Sequence, residues 1–412
     1  MLPSDVLECI RSRSVDRSFL EQQLLDVTAR IRTSALPWRG QFTPGLPEAL
    51  ISALNPSGTV LDPFVGSGTT LGEAIRADLP CIGAEVNPAA LTLASSYELT
   101  NLNEHERHDL LNWTERSISQ IDDPKEGGAG TGENPFHEEI LKLRNLTDNA
   151  AAKSLLEIIL TLSMGNGKSA TRPRAKKALS LTRSLVLDLP SKPIDVRVIG
   201  ADARKLPLPD SSIGMVLTSP PYINVFNYHQ NYRPAMELLG WDVLPAARSE
   251  IGSNRKHRSN RFLTVIQYCL DMAQTLDEVM RVTEDGAPIV FVVGRESRVR
   301  GLAFPNGDIL AGLAESTPGL SFERWQERSF TSRFGEVIFE EVLTFRRTGS
   351  NQRASIDQSF ARNLGVALLL EAQKRGPIDS GEVRTQLNAA INSGDVVNPS
   401  PPLSLARATV HA

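Results

Sequence analysis

The stretch TVLDPFVGSGTTLGEAIRADLPCIGAEV, residues 59–86, decides the fold of this 412-residue chain. TVLDPFV is a short run of strand-favouring residues, GSGTT interrupts it, TLGEAIRA has helical spacing, and CIGAEV is a second strand. A strand, a helix and a strand in this order form a βαβ unit. We therefore expect an α/β fold with a doubly wound, mostly parallel sheet whose ligand lies at the carboxyl ends of the strands.

The same alternation extends away from this stretch in both directions. LPEALISAL precedes it with helical spacing, and the strand-like runs DVRVIGADA, IGMVLTSPPY, APIVFVVG and EVLTFRR follow much later. The intervening residues are helical and carry a Gly/Pro/acid loop and a basic segment. We divide the chain into N-terminal helices at 1–35, one α/β domain in two parts at 36–100 and 191–348, an inserted helical region at 101–190, and a helical tail at 349–412 that we expect to be peripheral.

Composition places the chain among globular proteins. Charged residues make up 22% and hydrophobic residues 41%, and the longest apolar runs are far too short to span a bilayer. Three widely spaced cysteines predict neither a disulfide framework nor a zinc site, and no secretory signal is visible, so we expect a cytoplasmic protein. We predict no metal site either. The net charge of -4 by itself argues against a dedicated nucleic-acid binder, since such domains are usually basic.

The glycine loop and two acids predict a pocket for an adenosyl ligand without phosphates. The spacing Gly66, Gly68, Gly72 is one residue too long for the dinucleotide fingerprint, and no complete phosphate loop exists. Glu85 ends the second strand, where a carboxylate can accept hydrogen bonds from both hydroxyls of a ribose. Asp202 follows the third strand, and we expect it to accept from the adenine amino group.

The segment Thr218-Ser219-Pro220-Pro221-Tyr222 follows the fourth strand and should lie on the same edge of the sheet. Two prolines stiffen the backbone and have no N–H, so the segment presents carbonyls and side chains. The Ser219 hydroxyl and the Pro220 carbonyl could accept the hydrogens of an exocyclic amine and turn its lone pair toward an electrophilic methyl group. Tyr222 offers an aromatic face for an extruded base.

These two motifs resemble those of the amino-methyltransferases that use S-adenosylmethionine, the DNA N4-cytosine and N6-adenine enzymes. DPFVGSGTT resembles their cofactor motif, TSPPY resembles the catalytic motif of the N4-cytosine branch, and QFTPGLPEALI resembles the segment that holds the methionine end of the cofactor. The resemblance implies a Rossmann-like class I methyltransferase domain and DNA as the partner. It assigns the target base to Ser219, Pro220, Pro221 and Tyr222, and we expect the cofactor at Phe42, Pro44, Asp62, Phe64, Gly66, Gly68, Thr69, Thr70, Glu85 and Asp202.

Several alternatives stay open. Many N4-cytosine enzymes with this cofactor motif place SPPY before it, whereas the order found here also occurs in RNA guanine-N2 methyltransferases. Adenine-N6 DNA enzymes usually have Asp or Asn where Ser219 stands, so serine favours cytosine. A C5-cytosine enzyme would need a nucleophilic cysteine, but Cys81 begins a strand. A non-catalytic nucleic-acid-binding module with this fold is the non-enzymatic alternative.

The leading hypothesis is an N4-cytosine DNA methyltransferase of a restriction–modification or phage-defence system, with a possible restriction endonuclease partner.

Two local basic stretches flank the TSPPY motif in the sequence. They weaken the argument that a net charge of -4 excludes a nucleic-acid partner. They carry cations that can bind DNA phosphates with a salt-dependent affinity, and NVFNYHQNY beside them adds aromatic rings. The predicted nucleic-acid contacts are Lys168, Arg172, Arg174, Lys176, Lys177, Tyr228, Arg255, Lys256 and Arg258.

Overall fold

The computed structural model describes residues 2–29, 32–121, 135–167, 169–224, 228–253, 257–332, 335–349, 355–375 and 381–403. Its strands are β1 Val60–Asp62, β2 Cys81–Ala84, β3 Val196–Ile199, β4 Met215–Thr218, β5 Pro288–Gly294, β6 Glu296–Val299, β7 Leu302–Pro305, β8 Leu320–Thr331 and β9 Val337–Arg347.

The helices alternate with these strands in the two α/β parts and stand alone elsewhere. They are α1 Pro3–Arg11, α2 Gln22–Leu25, α3 Gly45–Leu54, α4 Thr69–Arg76, α5 Pro88–Ala94, α6 Glu104–Ser119, α7 Pro135–Leu146, α8 Ala150–Met164, α9 Arg172–Leu187, α10 Arg233–Leu238, α11 Val243–Ser249, α12 Leu263–Val282, α13 Asn306–Glu315, α14 Gln358–Lys374 and α15 Gly381–Asn392. Short 3₁₀ helices cover Ser95–Asn101, Tyr228–Gln230 and Gly394–Val396.

One seven-stranded sheet organises the protein, with the strand order β3-β2-β1-β4-β5-β9-β8. The first five strands in this order are mutually parallel, and β9 and β8 are antiparallel to their neighbours. The chain moves outward from β1 to β3 on one side and returns to start the other side at β4. The predicted doubly wound, mostly parallel sheet is thus confirmed, and its topological switch point lies between β1 and β4, where such folds bind ligands.

Helices cover both faces of the sheet, as strands without polar alternation require. All seven residues of β5 are buried, and its side chains alternate between two apolar clusters: Phe291 joins one, and Val290 and Val292 join the other. The first cluster packs with α1, α12, α13 and α14, and the second with α3, α4 and the inserted helices. No helix in the described part of the chain is long and apolar enough to cross a membrane.

The inserted region forms the predicted helices, α6 to α9, and packs as a layer. Helix α8 is its centre, because ten of its fifteen residues are buried and it contacts α5, α6, α7 and α9. Asn103 begins α6 with a capping box, accepting from the Glu106 amide while the Glu106 carboxylate accepts from the Asn103 amide. This layer therefore shares the core of the domain rather than standing apart from it.

The expectation of a peripheral tail is wrong for the residues that the structure describes. Helix α14 packs closely on α12, and a side chain at Gly365 would come within 2.7 Å of the Ile266 Cα. Beyond the 3₁₀ helix Gly394–Val396 the chain continues without helix or strand to residue 403, with Val397 and Ser400 buried. Leu364, Leu368 and Leu369 form a buried stripe on α14, so the average polarity of the tail was a poor guide to its position.

Candidate active site at the junction of β1 and β4

A direct hydrogen bond joins the two motifs. The Thr218 hydroxyl at the end of β4 donates to Asp62 Oδ1 at the end of β1, over 2.6 Å. Both side chains are buried, and the strands that carry them are adjacent in the sheet. Segments 156 residues apart in sequence are thereby fixed at one point, the switch point of the fold.

A cavity of about 360 Å³ opens at this edge of the sheet. This volume lies within the range usual for small-ligand sites. It brings together most of the residues predicted from the sequence. Those that line it are Phe42, Asp62, Phe64, Gly66, Thr69, Thr70, Glu85, Asp202, Ser219, Pro220, Pro221, Tyr222 and Tyr228.

Two predicted cofactor residues are not among the residues that line the cavity. Pro44 is buried at the start of α3, where its rigid backbone begins the helix. Gly68 precedes α4 with φ 91°, and a side chain there would come within 2.5 Å of the Tyr97 ring. The structural need at position 68 is therefore for close packing on Tyr97 in a left-handed conformation, and this need is separate from ligand contact.

Asp62 holds the glycine loop in place. Its Oδ1 also accepts from the Phe64 amide over 3.1 Å, which turns the chain away from the strand. Burial raises the pKa of Asp62 to about 6, although its hydrogen bonds oppose this. Asp62 is 2% exposed as a residue, and its Oδ1 is bonded to the Phe64 amide and the Thr218 hydroxyl.

Glu85 is fixed at the end of β2 by three backbone amides. Its Oε2 accepts from Gly66 N over 3.1 Å, and its Oε1 accepts from Val86 N and Asn87 N over 3.0 and 2.9 Å. A carboxylate has about four acceptor positions, so capacity remains for a ligand hydroxyl. Burial raises the pKa of Glu85 to about 7, with the amide bonds opposing. The carboxyl group is thus preoriented toward the cavity that Gly66 also lines.

Asp202 lines the same cavity, but its carboxylate is already occupied. Its Oδ1 accepts from the backbone N and Nε of Arg204, and its Oδ2 accepts from Arg204 Nη2, the Ser249 hydroxyl and the Leu403 amide. Burial would raise the pKa of Asp202, but the hydrogen bonds and charge of Arg204 outweigh it and lower that pKa. The expected role as acceptor for the adenine amino group is therefore not the role that this carboxylate has in the structure.

The TSPPY loop is held in place by contacts of Tyr222 with Gly294 and Gly252. The Tyr222 hydroxyl lies 3.4 Å from Ser219 Oγ, and the edge of the Tyr222 ring lies against Gly294 at the end of β5. The Asn224 amide donates to the Gly252 carbonyl over 2.9 Å, and a side chain at Gly252 would collide with the Tyr222 carbonyl. The loop that presents Ser219 is therefore rigid, as the two prolines predict.

Several lining residues were not predicted, among them Trp38, Gln41, Glu250, Phe330 and Glu340. Trp38 lies nearly parallel to Tyr228, with ring centroids 6.4 Å apart, and a side chain on Gly66 would touch it. Gln41 accepts from the Ser67 hydroxyl over 2.7 Å. Trp38 lies three residues before Gln41, where the QFTPG segment begins, and that segment could have indicated it. Phe330 and Glu340 come from the β8–β9 hairpin, which carries no motif.

Of the predicted DNA contacts Tyr228 lines the cavity, and the eight basic residues separate into three groups. Lys168, Arg255 and Lys256 lie outside the described residues. Arg172 donates to the carbonyls of Ser119 and Ile121 and so ties α9 to the end of α6, whereas Arg174 donates to the Ser169 carbonyl just before its own helix. Lys176, Lys177 and Arg258 are exposed. Among these described cations none lines the cavity, and their contact with DNA stays a prediction.

A family model described as DNA methylase matches residues 28–96, the span from before the Trp38 segment through the glycine loop to α5. Over these residues the chain is thus similar to the N4/N6 DNA amino-methyltransferase family. It is an S-adenosylmethionine-dependent methyltransferase. The matched span ends before the TSPPY motif, so the assignment to the TSPPY subtype rests on the sequence resemblance alone.

No curated protein sequence matches the chain. Among solved structures it is similar to the rRNA methyltransferase aviRa from Streptomyces viridochromogenes, at 14% identity and a TM-score of 0.31, covering 88% of this chain and 100% of that one. It is also similar to SAM-dependent methyltransferases from Methanosarcina mazei, at 11% identity and a TM-score of 0.30, covering 71% and 93%. The sheet topology described above carries the fold assignment.

The residues of this methyltransferase site fit the cofactor. S-adenosylmethionine is a cation, and among the acidic residues that line the cavity Glu85 is held by backbone amides, whereas Asp202 and Glu340 are paired with Arg204 and Arg328. Glu85 has acceptor capacity for the ribose, and Gly66 lets the backbone approach the ligand closely. When bound, the cofactor supplies an electrophilic methyl group on a sulfonium.

Proposed function

We propose that the protein is a DNA (cytosine-N4)-methyltransferase of a restriction–modification or phage-defence system. The observation that carries this proposal is the hydrogen bond from Thr218 to Asp62. It places the loop that would hold an exocyclic amine beside the loop that would hold the methyl donor, within one cavity. DNA is the partner, and a cognate endonuclease would recognise the same sequence.

Ser219 and Pro220 have the central roles in this proposal. The Ser219 hydroxyl and the Pro220 carbonyl both accept hydrogens of the target amine, which withdraws its lone pair from the ring and directs it toward the methyl group. Methyl transfer from a sulfonium needs little more than this alignment, and positioning of two reactants alone can lower a barrier by about 7–11 kcal/mol. The short, rigid SPPY turn suits this role because it presents acceptors without backbone donors from its prolines.

The choice of cytosine rests on Ser219. A hydroxyl is a weaker acceptor than the Asp or Asn that adenine-N6 enzymes usually have at this position, so serine favours cytosine as the target base. Trp38 and Tyr228 at the cavity provide aromatic faces against which an extruded base can stack. Such faces tolerate any base, so the identity of the target depends on the SPPY loop.

The test is expression of the full chain in a host without DNA methylation, followed by mapping of modified bases with long-read sequencing. We expect N4-methylcytosine at one sequence motif with the wild-type protein. Ser219→Ala removes it, whereas Ser180→Ala, a matched change at an exposed position on α9, leaves it unchanged. Adenine modification would contradict the target base. Methyl incorporation into RNA with unmodified DNA would contradict the whole proposal.

A further inference from the structure

Three aromatic side chains from two distant segments meet beside the glycine loop and form an aromatic cluster of Trp38, Tyr228 and Tyr232. Trp38 lies nearly parallel to both tyrosines, with interplanar angles of 16° and 12° and ring centroids 6.4 Å apart in each pair. A side chain on Gly66 would come within 3.3 Å of the Trp38 indole, so the indole lies against the cofactor loop. Trp38 and Tyr228 line the cavity. The aromatic cluster therefore contributes two rings to the cavity wall next to the predicted cofactor residues.

Hydrogen bonds hold the segments that carry these rings. The Tyr232 hydroxyl donates to the Pro37 carbonyl over 3.0 Å, directly before Trp38 in the chain. Next to Tyr228, the His229 amide donates to Glu250 Oε1 over 2.8 Å, and His229 Nδ1 lies 3.0 Å from Glu250 Oε2. The rings are thus positioned by the fold itself, and a preorganised site loses less conformational entropy when it binds a ligand.

The acidic side chains that line the cavity in the described part of the chain are engaged within the protein. They are Asp62 with Thr218, Glu85 with the Gly66 amide, Asp202 with Arg204, Glu250 with the His229 amide, and Glu340 with Arg328. The remaining acceptor capacity of Glu85 suits the ribose hydroxyls, as described above. Aromatic faces attract a cation without carrying a charge of their own, and Trp does so most strongly. The rings are therefore suited to the positive charge of the cofactor.

We propose that Trp38 and Tyr228 bind the sulfonium of S-adenosylmethionine through cation–π interactions, and that Tyr232 is a positioning residue that holds Trp38. The sulfonium charge distinguishes the cofactor from S-adenosylhomocysteine, the neutral thioether left after methyl transfer. The rings therefore favour the methyl donor over the spent cofactor. This role goes beyond the proposed target base, and because a ring has two faces, it is compatible with stacking of an extruded base.

The experiment measures the binding of S-adenosylmethionine and of S-adenosylhomocysteine to the full chain by isothermal titration calorimetry. Trp38→Leu keeps an apolar side chain and removes the ring. We expect it to bind S-adenosylmethionine about tenfold more weakly and S-adenosylhomocysteine within about twofold of wild type, because only the first ligand carries the sulfonium charge. Trp38→Phe keeps a smaller ring and should lose less of this preference. Tyr228→Leu provides the same comparison if Trp38→Leu does not fold.

The positioning role of Tyr232 has its own variant. Tyr232→Phe keeps the ring and removes the hydroxyl that bonds to Pro37, so the preference for S-adenosylmethionine should fall about threefold. Added to Trp38→Leu, the same change should lower the preference no further, because Tyr232 acts through Trp38. The matched control is Tyr268→Phe, since the Tyr268 hydroxyl is buried and has no hydrogen-bond partner in the part of the chain that the structure describes. This control should bind both ligands as the wild-type protein does.

Two results would overturn the inference. Equal losses of affinity for both ligands in Trp38→Leu and Tyr228→Leu would assign the rings to the shape of the site rather than to its charge. Weaker binding of DNA with an unchanged preference between the two ligands would assign the rings to the extruded base alone. Because these measurements need no methyl transfer, a protein that methylates no DNA but shows the expected preference would contradict the proposed function and support this inference.

Discussion

The ends of β2 and β3 present the same feature and use it differently. Each neighbouring parallel strand is followed by an acid, Glu85 after β2 and Asp202 after β3, and both acids line one cavity. Glu85 is held only by backbone amides, whereas Asp202 is neutralised by Arg204 and covered by the C-terminal segment at Leu403. Of these two strand-end acids, Glu85 therefore keeps acceptor capacity for a ligand, whereas the carboxylate of Asp202 is occupied by protein partners.

Their pKa values show the same contrast. Burial without a cation raises the pKa of Glu85 to about 7, and Arg204 lowers that of Asp202 despite burial. Arg204 is also paired with Asp271, whose Oδ1 lies 3.0 Å from Arg204 Nη1 and accepts from the Ser400 amide. The region at β3 is thus a structural junction, and the region at β2 is the candidate ligand site.

The largest effect should come from breaking the junction at β3. Arg204→Ala leaves two buried carboxylates, Asp202 and Asp271, without their cation, and removing one partner from a buried ionic network costs about 3–5 kcal/mol. Urea unfolding followed by circular dichroism measures the change. Arg197→Ala, at an exposed position on β3 itself, is the control and should change stability by less than about 0.5 kcal/mol. An Arg204 variant of wild-type stability would show that the junction is not structural.

The next largest effect should appear at β2, on ligand binding. Glu85→Ala removes the acceptor for the ribose and the anchor of the Gly66 amide, so S-adenosylmethionine should bind about 100-fold more weakly. Isothermal titration calorimetry measures the dissociation constant, with the matched change Glu98→Ala on the neighbouring 3₁₀ helix as control. An affinity within threefold of wild type would remove the contrast between the two strand ends.

A smaller effect should follow from loosening the C-terminal segment. The Ser400 hydroxyl donates to Asp271 Oδ2 over 2.8 Å and accepts from Gln267, and it is buried. Ser400→Ala should lower the free energy of unfolding by about 1–3 kcal/mol, because it leaves buried polar groups unsatisfied. Cofactor affinity should change little. A large loss of affinity with unchanged stability would instead assign the segment to the ligand site.

The smallest effect is a pH dependence of the cofactor-free protein. Because the folded pKa of Glu85 is raised to about 7, its contribution to stability is complete below its unfolded pKa and is lost as pH rises through 7. Between pH 5 and pH 8 the stability of the wild-type protein should therefore fall relative to Glu85→Gln, by roughly 2 kcal/mol. Thermal and urea unfolding at both pH values measure this double difference, and a constant difference would contradict the shifted pKa.

Local sequence patterns predicted the elements that build the site. The βαβ unit of β1, α4 and β2 could be predicted because the residue pattern changes from the strand period to the helix period at GSGTT. The family match to 28–96 covers that unit. Ser219 followed from its two prolines, whose chemistry is local. The tail was misjudged because its buried stripe meets a partner, α12, about 90 residues earlier, and a composition average does not show a partner.

The sequence by itself determined the fold class, the cofactor loop and the SPPY loop, because each of these follows from residues that lie close together in the chain. The tertiary structure alone decided which acids remain open to a ligand, since Asp202 meets Arg204, Asp271 and Leu403 only after folding. It also brought Glu340, which comes from the β8–β9 hairpin, into the same cavity as Tyr222. Charge neutralisation and hydrogen-bond paths depend on distances of about 3 Å between segments far apart in the chain, and a linear pattern does not contain those distances.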